Sequence, residues 1–168
     1  VSFHHHEGVG AKLTRRRLTA LRFPKDVVEQ VSKLVFLHLR FHGYGKGEWT
    51  DSAVRRYVTD AGDLLDRLHK LVRADCTTRN KRRAATLAKS YDSLEERIAA
   101  LRTREELDAI RPDLNGEQIM ALLGVGPGRA VGGALKHLLA LRMEHGPLGE
   151  QRATEELMRW AKVHGLVD

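Results

Sequence analysis

Residues 79–102 read RNKRRAATLAKSYDSLEERIAALR, and the spacing within them decides the fold class. Ala84, Leu87, Ala88, Tyr91, Leu94, Ile98 and Leu101 recur at steps of three and four, the interval that puts side chains on one face of an α-helix. The same period runs upstream. Over about 25–40, Val27, Val28, Val31, Leu34, Val35 and His38 form one stripe, with Pro24 placed to open the helix because its missing N–H costs nothing in a first turn. An earlier helix, about 8–22, carries Val9, Leu13, Leu18 and Leu21 around the basic run Arg15, Arg16 and Arg17. After a glycine-rich loop at 41–49, Thr50 or Asp51 caps a helix whose Val54, Tyr57, Val58, Ala61, Leu64 and Leu65 face inward. Gly62 weakens that helix or splits it, and the pattern resumes at Leu68, Leu71 and Val72.

Downstream, Arg111-Pro112-Asp113 breaks the chain, since a residue before proline is pushed out of helical geometry. A short helix at 117–123 stops at Gly124. Gly126-Pro127-Gly128 makes a turn, a helix spans about 129–144, and Gly146-Pro147 precedes a last amphipathic helix at about 151–163 with Leu157, Trp160 and Ala161 inside. No convincing strand appears, so the expectation is an all-α chain divided into 1–102 and 103–168.

Charge narrows the function. The 168 residues carry a net +7, distributed unevenly: residues 1–90 hold 19 Lys and Arg against 9 Asp and Glu, and residues 91–168 hold 10 against 13. A basic half on an otherwise balanced chain suits a polyanionic partner, because each neutralised phosphate releases counterions. A solvated arginine-rich face would give the same count. No apolar run approaches the roughly 20 residues that span a bilayer, and no leader pattern marks the first residues. A single cysteine, Cys76, excludes an internal disulfide framework and fits a reducing cytoplasm.

Three polar intruders stand out. His4, His5 and His6 lie together at the start; His38 sits on an apolar stripe; Asp75 follows the apolar run ending at Ala74. A histidine on such a stripe is more often a satisfied core residue than a ligand. A carboxylate in a buried-looking place needs a metal, a cation or capping N–H groups. Imidazole and carboxylate converging from three helices would suit a divalent cation, although the spacings match no short metal motif.

In order, Phe3-His4-His5-His6-Glu7 with Gly10-Ala11, Leu21-Arg22-Phe23-Pro24, Leu34–Phe41 and Arg73–Asn80 resemble the HD domain of bacterial, actinobacterial-type CCA-adding tRNA nucleotidyltransferases and poly(A) polymerases. Asn115-Gly116, Ile119-Met120, Leu122-Leu123-Gly124, Gly132, Leu135 and Gly146-Pro147-Leu148 resemble the helical region that follows it in that family. The resemblance implies the second half of an HD-type helical domain followed by a helical tail. It casts His6, His38 and Asp75 as the later metal ligands. The first histidine and the His-Asp pair of such sites have no counterpart here, so an HD-type metal centre is incomplete. Nor does the chain contain the Gly-Ser motif or the paired carboxylates that hold two magnesium ions in the family's catalytic head, so it is not expected to add nucleotides alone.

What the resemblance leaves to this portion is holding tRNA or another RNA for that head. Duplex RNA is met by shape and phosphate contacts, and Arg15, Arg16, Arg17, Arg79, Lys81, Arg82 and Arg83 are the implied contacts. A metal-dependent HD-type phosphohydrolase is the alternative. A third reading treats Leu123–Gly128 as a helix–hairpin–helix phosphate clamp, against the plainer one of a tight turn between packed helices. Trp49, Trp160 and Tyr44 read as packing residues. If the face of 27–39 is normally covered by preceding helices, the isolated chain should expose an apolar patch and self-associate.

Overall fold

The computed structural model describes residues 6–41, 49–75, 78–107 and 110–167. Among them every regular element is helical: α1 (His6–Ala20), α2 (Lys25–Leu37), α3 (Asp51–Ala61), a 3-10 turn (Gly62–Leu64), α4 (Leu65–Ala74), α5 (Lys81–Glu105), α6 (Gly116–Leu123), α7 (Arg129–His145) and α8 (Glu150–Val163). The all-α expectation is therefore met. Gly62, with a φ of +55°, does split its helix, and the 3-10 turn follows from it. His4, His5, Tyr44 and Cys76 lie outside the described residues.

The chain forms two compact units. The first comprises 1–49 and 57–100; the second comprises 101–168 together with Thr50–Arg56, a segment the sequence reading placed in the first part. Helices α3 and α5 therefore each supply residues to both units.

In the first unit, α1 and α2 form a hairpin closed by an unusual residue. Arg22 sits in the left-handed region at φ +56°, donating to Thr19 O at 3.0 Å while Phe23 N donates to Leu18 O at 3.1 Å. Those two bonds are the glycine-type helix stop, filled here by arginine. The two helices pack closely because Gly10 lacks a side chain: a Cβ there would meet Val35 Cγ1 at 3.1 Å.

Burial is uneven in this unit. Leu68 is fully buried, and Tyr57, Val58, Ala61, Leu64, Leu65 and Val72 are buried as well. Each leucine or valine among them contributes roughly 1.5–3 kcal/mol when fully buried. Tyr91 stacks on Phe41 with ring centroids 4.0 Å apart and donates to Val72 O at 3.1 Å. By contrast α1 has no buried residue. Val9, Leu13, Leu21, Phe23 and Phe36 are all exposed. On α2 only Val28 of the expected stripe is buried; Val27, Val31, Leu34, Val35 and His38 are half-buried.

The second unit closes around Leu114, Ile119, Leu123, Val131, Ala134, Leu138, Ala153, Leu157 and Ala161. Asn115 caps α6 reciprocally: its Oδ1 accepts from Gln118 N and its own N–H donates to Gln118 Oε1, both at 2.9 Å. Gly124 ends the helix in the left-handed conformation at φ +64°.

A buried ion cluster completes this unit. Arg55 grips Glu105 with two parallel bonds, Nε to Oε2 at 2.7 Å and Nη2 to Oε1 at 2.9 Å, and both side chains are almost fully buried. Arg55 Nη1 also donates to the carbonyls of Met143 and Glu144, satisfying groups that the end of α7 leaves open. Arg142 donates to the Glu105 carbonyl at 2.9 Å, and Arg104 reaches Oε1 at 3.1 Å. Gly146, at φ +82°, leaves space for this cluster: a Cβ there would lie 2.8 Å from Arg55 Nη2.

Candidate nucleic-acid interface

All seven cations singled out from the sequence are exposed. Arg15, Arg16 and Arg17 occupy the last turns of α1; Arg79 precedes α5, and Lys81, Arg82 and Arg83 form its first turn. None of the seven side chains has an ion-pair partner among the described residues. Several other arginines do have one: Arg40 pairs with Asp60, Arg56 with Glu144 at 2.6 Å, and Arg73 with Asp92 at 2.8 Å and Glu95 at 3.0 Å. Divided by unit, 18 Lys and Arg stand against 11 Asp and Glu in the first, and 11 against 11 in the second. The whole net charge therefore belongs to the first unit.

The start of α5 is electrostatically unusual. Helix N-termini favour anions, because the free amides and the helix dipole put partial positive charge there. Here the first turn holds no acidic residue, and Lys81, Arg82 and Arg83 stand in their place. Asn80 Oδ1 accepts from Arg83 N at 3.1 Å and satisfies one amide; the cations remain free to meet an anion.

The proposed metal ligands are placed differently. The rings of His6 and His38 approach to a centroid distance of 5.6 Å, and His38 Nδ1 lies 2.5 Å from Val35 O. Asp75 is exposed at the end of α4, where its N–H donates to Leu71 O at 2.9 Å, and it is not the buried carboxylate that the apolar run suggested. The face bearing Leu65, Leu68 and Val72 stops when the helix stops at Ala74. Among the described residues no three His, Cys, Asp or Glu side chains gather closely enough to hold a metal ion.

Gly124, Gly126 and Gly128 form a turn between two helices whose inner residues, Leu123 and Val131, are buried against each other's core. No cation lies between Leu123 and Gly128. Trp160 packs at 3.1 Å from the position of a Gly133 Cβ and stacks on His164 at 4.2 Å. Trp49 meets Tyr57 edge-on at 5.4 Å. The Tyr57 hydroxyl is buried without a partner, and burial raises its pKa well above the ordinary tyrosine range.

One feature escaped the sequence reading. Between α1 and α2 lies a cleft of about 460 Å³ bordered by Lys12, Arg15, Glu29, Ser32, Lys33 and Phe36. The spacing contains the signal, since Lys12 and Arg15 are three apart and Glu29, Ser32, Lys33 and Phe36 follow one face of α2. That two separate helices present these faces to one gap is a matter of packing.

No helix among the described residues is long and apolar enough to cross a membrane. No family model and no solved structure matches the chain. Two curated proteins do. The A-adding tRNA nucleotidyltransferase of Deinococcus radiodurans is 34% identical over 166 residues, covering 96% of this chain and 36% of the relative. The CC-adding tRNA nucleotidyltransferase of Thermus thermophilus is 35% identical over 158 residues, covering 92% of this chain and 33% of the relative. The chain thus spans about a third of the length of the relatives it matches.

Proposed function

We propose that this chain is the RNA-holding portion of a tRNA nucleotidyltransferase, gripping tRNA so that its 3′ end meets a nucleotide-adding centre elsewhere. Poly(A) addition to other RNA ends is the closely related variant of the same role. The observation that carries the reading is the set of seven exposed, unpaired cations in a unit holding all of the net charge. The kinship with CC- and A-adding enzymes says which polyanion to try first.

The chemistry required is modest. A-form RNA hides its base edges in a deep major groove, so a holder of tRNA works through phosphates, 2′-hydroxyls and shape. Arginine suits phosphate because its planar fork donates two parallel bonds. Arg82 and Arg83, at an N-terminus with no acid in its first turn, add side-chain charge to the attraction of the helix dipole. For the phosphohydrolase alternative the described residues offer the His6–His38 pair and no third ligand.

The test is binding of labelled tRNA and of duplex DNA of equal length across a salt series. Preference for tRNA, with affinity falling steeply as salt rises, is the expected result. Replacing Arg82 and Arg83 by alanine should weaken tRNA binding about tenfold or more and reduce the salt slope by about two. Equal affinity for DNA and tRNA, or no binding to either, would remove the role.

A further inference from the structure

We propose that the cleft between α1 and α2 is a nucleotide subsite, holding one backbone phosphate of single-stranded RNA with the adjoining base against Phe36. It rests on the RNA-holding reading and extends it to a concave place of contact that shares Arg15 with the first arginine run.

Three observations converge there. Lys12, Arg15 and Lys33 border the gap from both helices, none with an ion-pair partner, and they face the single carboxylate of Glu29, which is drawn towards Lys25 at 3.9 Å. A surplus of two positive charges in a concave site favours an anion. In the same wall Ser32 is only 3% exposed, and its hydroxyl has no hydrogen-bond partner. A buried hydroxyl left unpaired is unfavourable, and a phosphate oxygen supplies the acceptor it lacks. Phe36 is 46% exposed at the rim, and an exposed aromatic beside cations is what a base stacks on. A free mononucleotide has the same two parts, so the experiment separates the sources.

The experiment titrates the whole chain with a labelled four-nucleotide RNA, AMP and inorganic phosphate, using tRNA in parallel. Lys12→Ala with Lys33→Ala should lower tetranucleotide affinity about tenfold or more, consistent with the loss of two phosphate contacts. Phe36→Ala should lower it several-fold. Ser32→Ala separates a binding role from a packing one: affinity falls while thermal stability holds or rises. If tRNA binds but the Lys12/Lys33 variant keeps full tetranucleotide affinity, the cleft is not a subsite, and the holding role stands without it. If AMP or phosphate binds as well as the tetranucleotide and loses as much in that variant, the cleft takes free nucleotides and the RNA assignment is wrong. If the chain binds neither tRNA nor tetranucleotide, both proposals fall.

Discussion

The two units are built from the same kind of helix, yet they treat charge and apolar surface in opposite ways. The first leaves cations unpaired at its surface and Val9, Leu13, Leu21, Phe23 and Phe36 in solvent. The second balances its charges, buries one glutamate among arginines and closes a core with Leu157 fully inside. Charge is committed internally in one and left available in the other. Stability and binding should therefore respond to different substitutions.

The largest effect should come from Glu105. Glu105→Ala leaves Arg55 and Arg142 buried without their carboxylate, and breaking a buried pair this way costs about 3–5 kcal/mol. Urea unfolding should show it as a lower midpoint. The exposed pair Arg73–Asp92 in the first unit should be worth under about 1 kcal/mol by the same measurement. Comparable losses from both would erase the distinction.

Next is the apolar contrast. Leu157→Ala should cost about 2–5 kcal/mol, because it empties a filled site. Leu13→Ala should stay within about 0.5 kcal/mol, since that side chain is half exposed already. A large loss at Leu13 would mean that α1 is covered in solution, and sedimentation would then reveal self-association.

Acid should distinguish the units as well. Arg55, the principal cause, holds the Glu105 carboxyl below the usual carboxylate range, and the Ser52 hydroxyl with Arg56 does the same for Glu144. A lowered carboxylate stabilises the fold above its unfolded pKa, about 4.3, and that contribution is lost as pH falls through the lower folded value. Trp160 reports the second unit and Trp49 the first. In single-tryptophan variants titrated from about pH 6 to 3 the Trp160 signal should change first. If Trp49 leads, the ion cluster is not what acid breaks.

The smallest expected effect is a gain. Arg22→Gly relieves a left-handed arginine at the α1–α2 stop and should raise stability by about 0.5–1 kcal/mol in thermal unfolding. A loss there would give the arginine side chain a role in holding the hairpin.

Much of this was legible from residue spacing. The helices, the break at Gly62 and the stop at Gly124 follow from local rules, and the structure agrees with them. Arg22 shows where local rules fail, because no glycine marks its turn. Glu105 and Arg55 are 50 residues apart, and neither position looks buried by sequence, since the apolar pattern treats both as surface. On α1 the apolar residues are spread round the helix and mark no single face, and none of them is buried. Of the candidate site, the basic runs were visible as strings. The cleft was not, because its wall is shared by two helices whose separation depends on Gly10.

Arg55 has one more consequence, and it concerns the order in which the protein is made. The carbonyl of Glu144 that it caps lies 89 residues further along the chain. At roughly 5–20 residues per second, a ribosome needs on the order of ten seconds to deliver that partner. Throughout that interval a nascent chain holds a guanidinium whose final neighbours do not yet exist, so the second unit cannot close until α7 has emerged, whereas Leu68, Tyr91 and the rest of the first unit's core are available earlier. Translation thus sets a sequence of events, with the basic unit compact and the neutral one still open behind it.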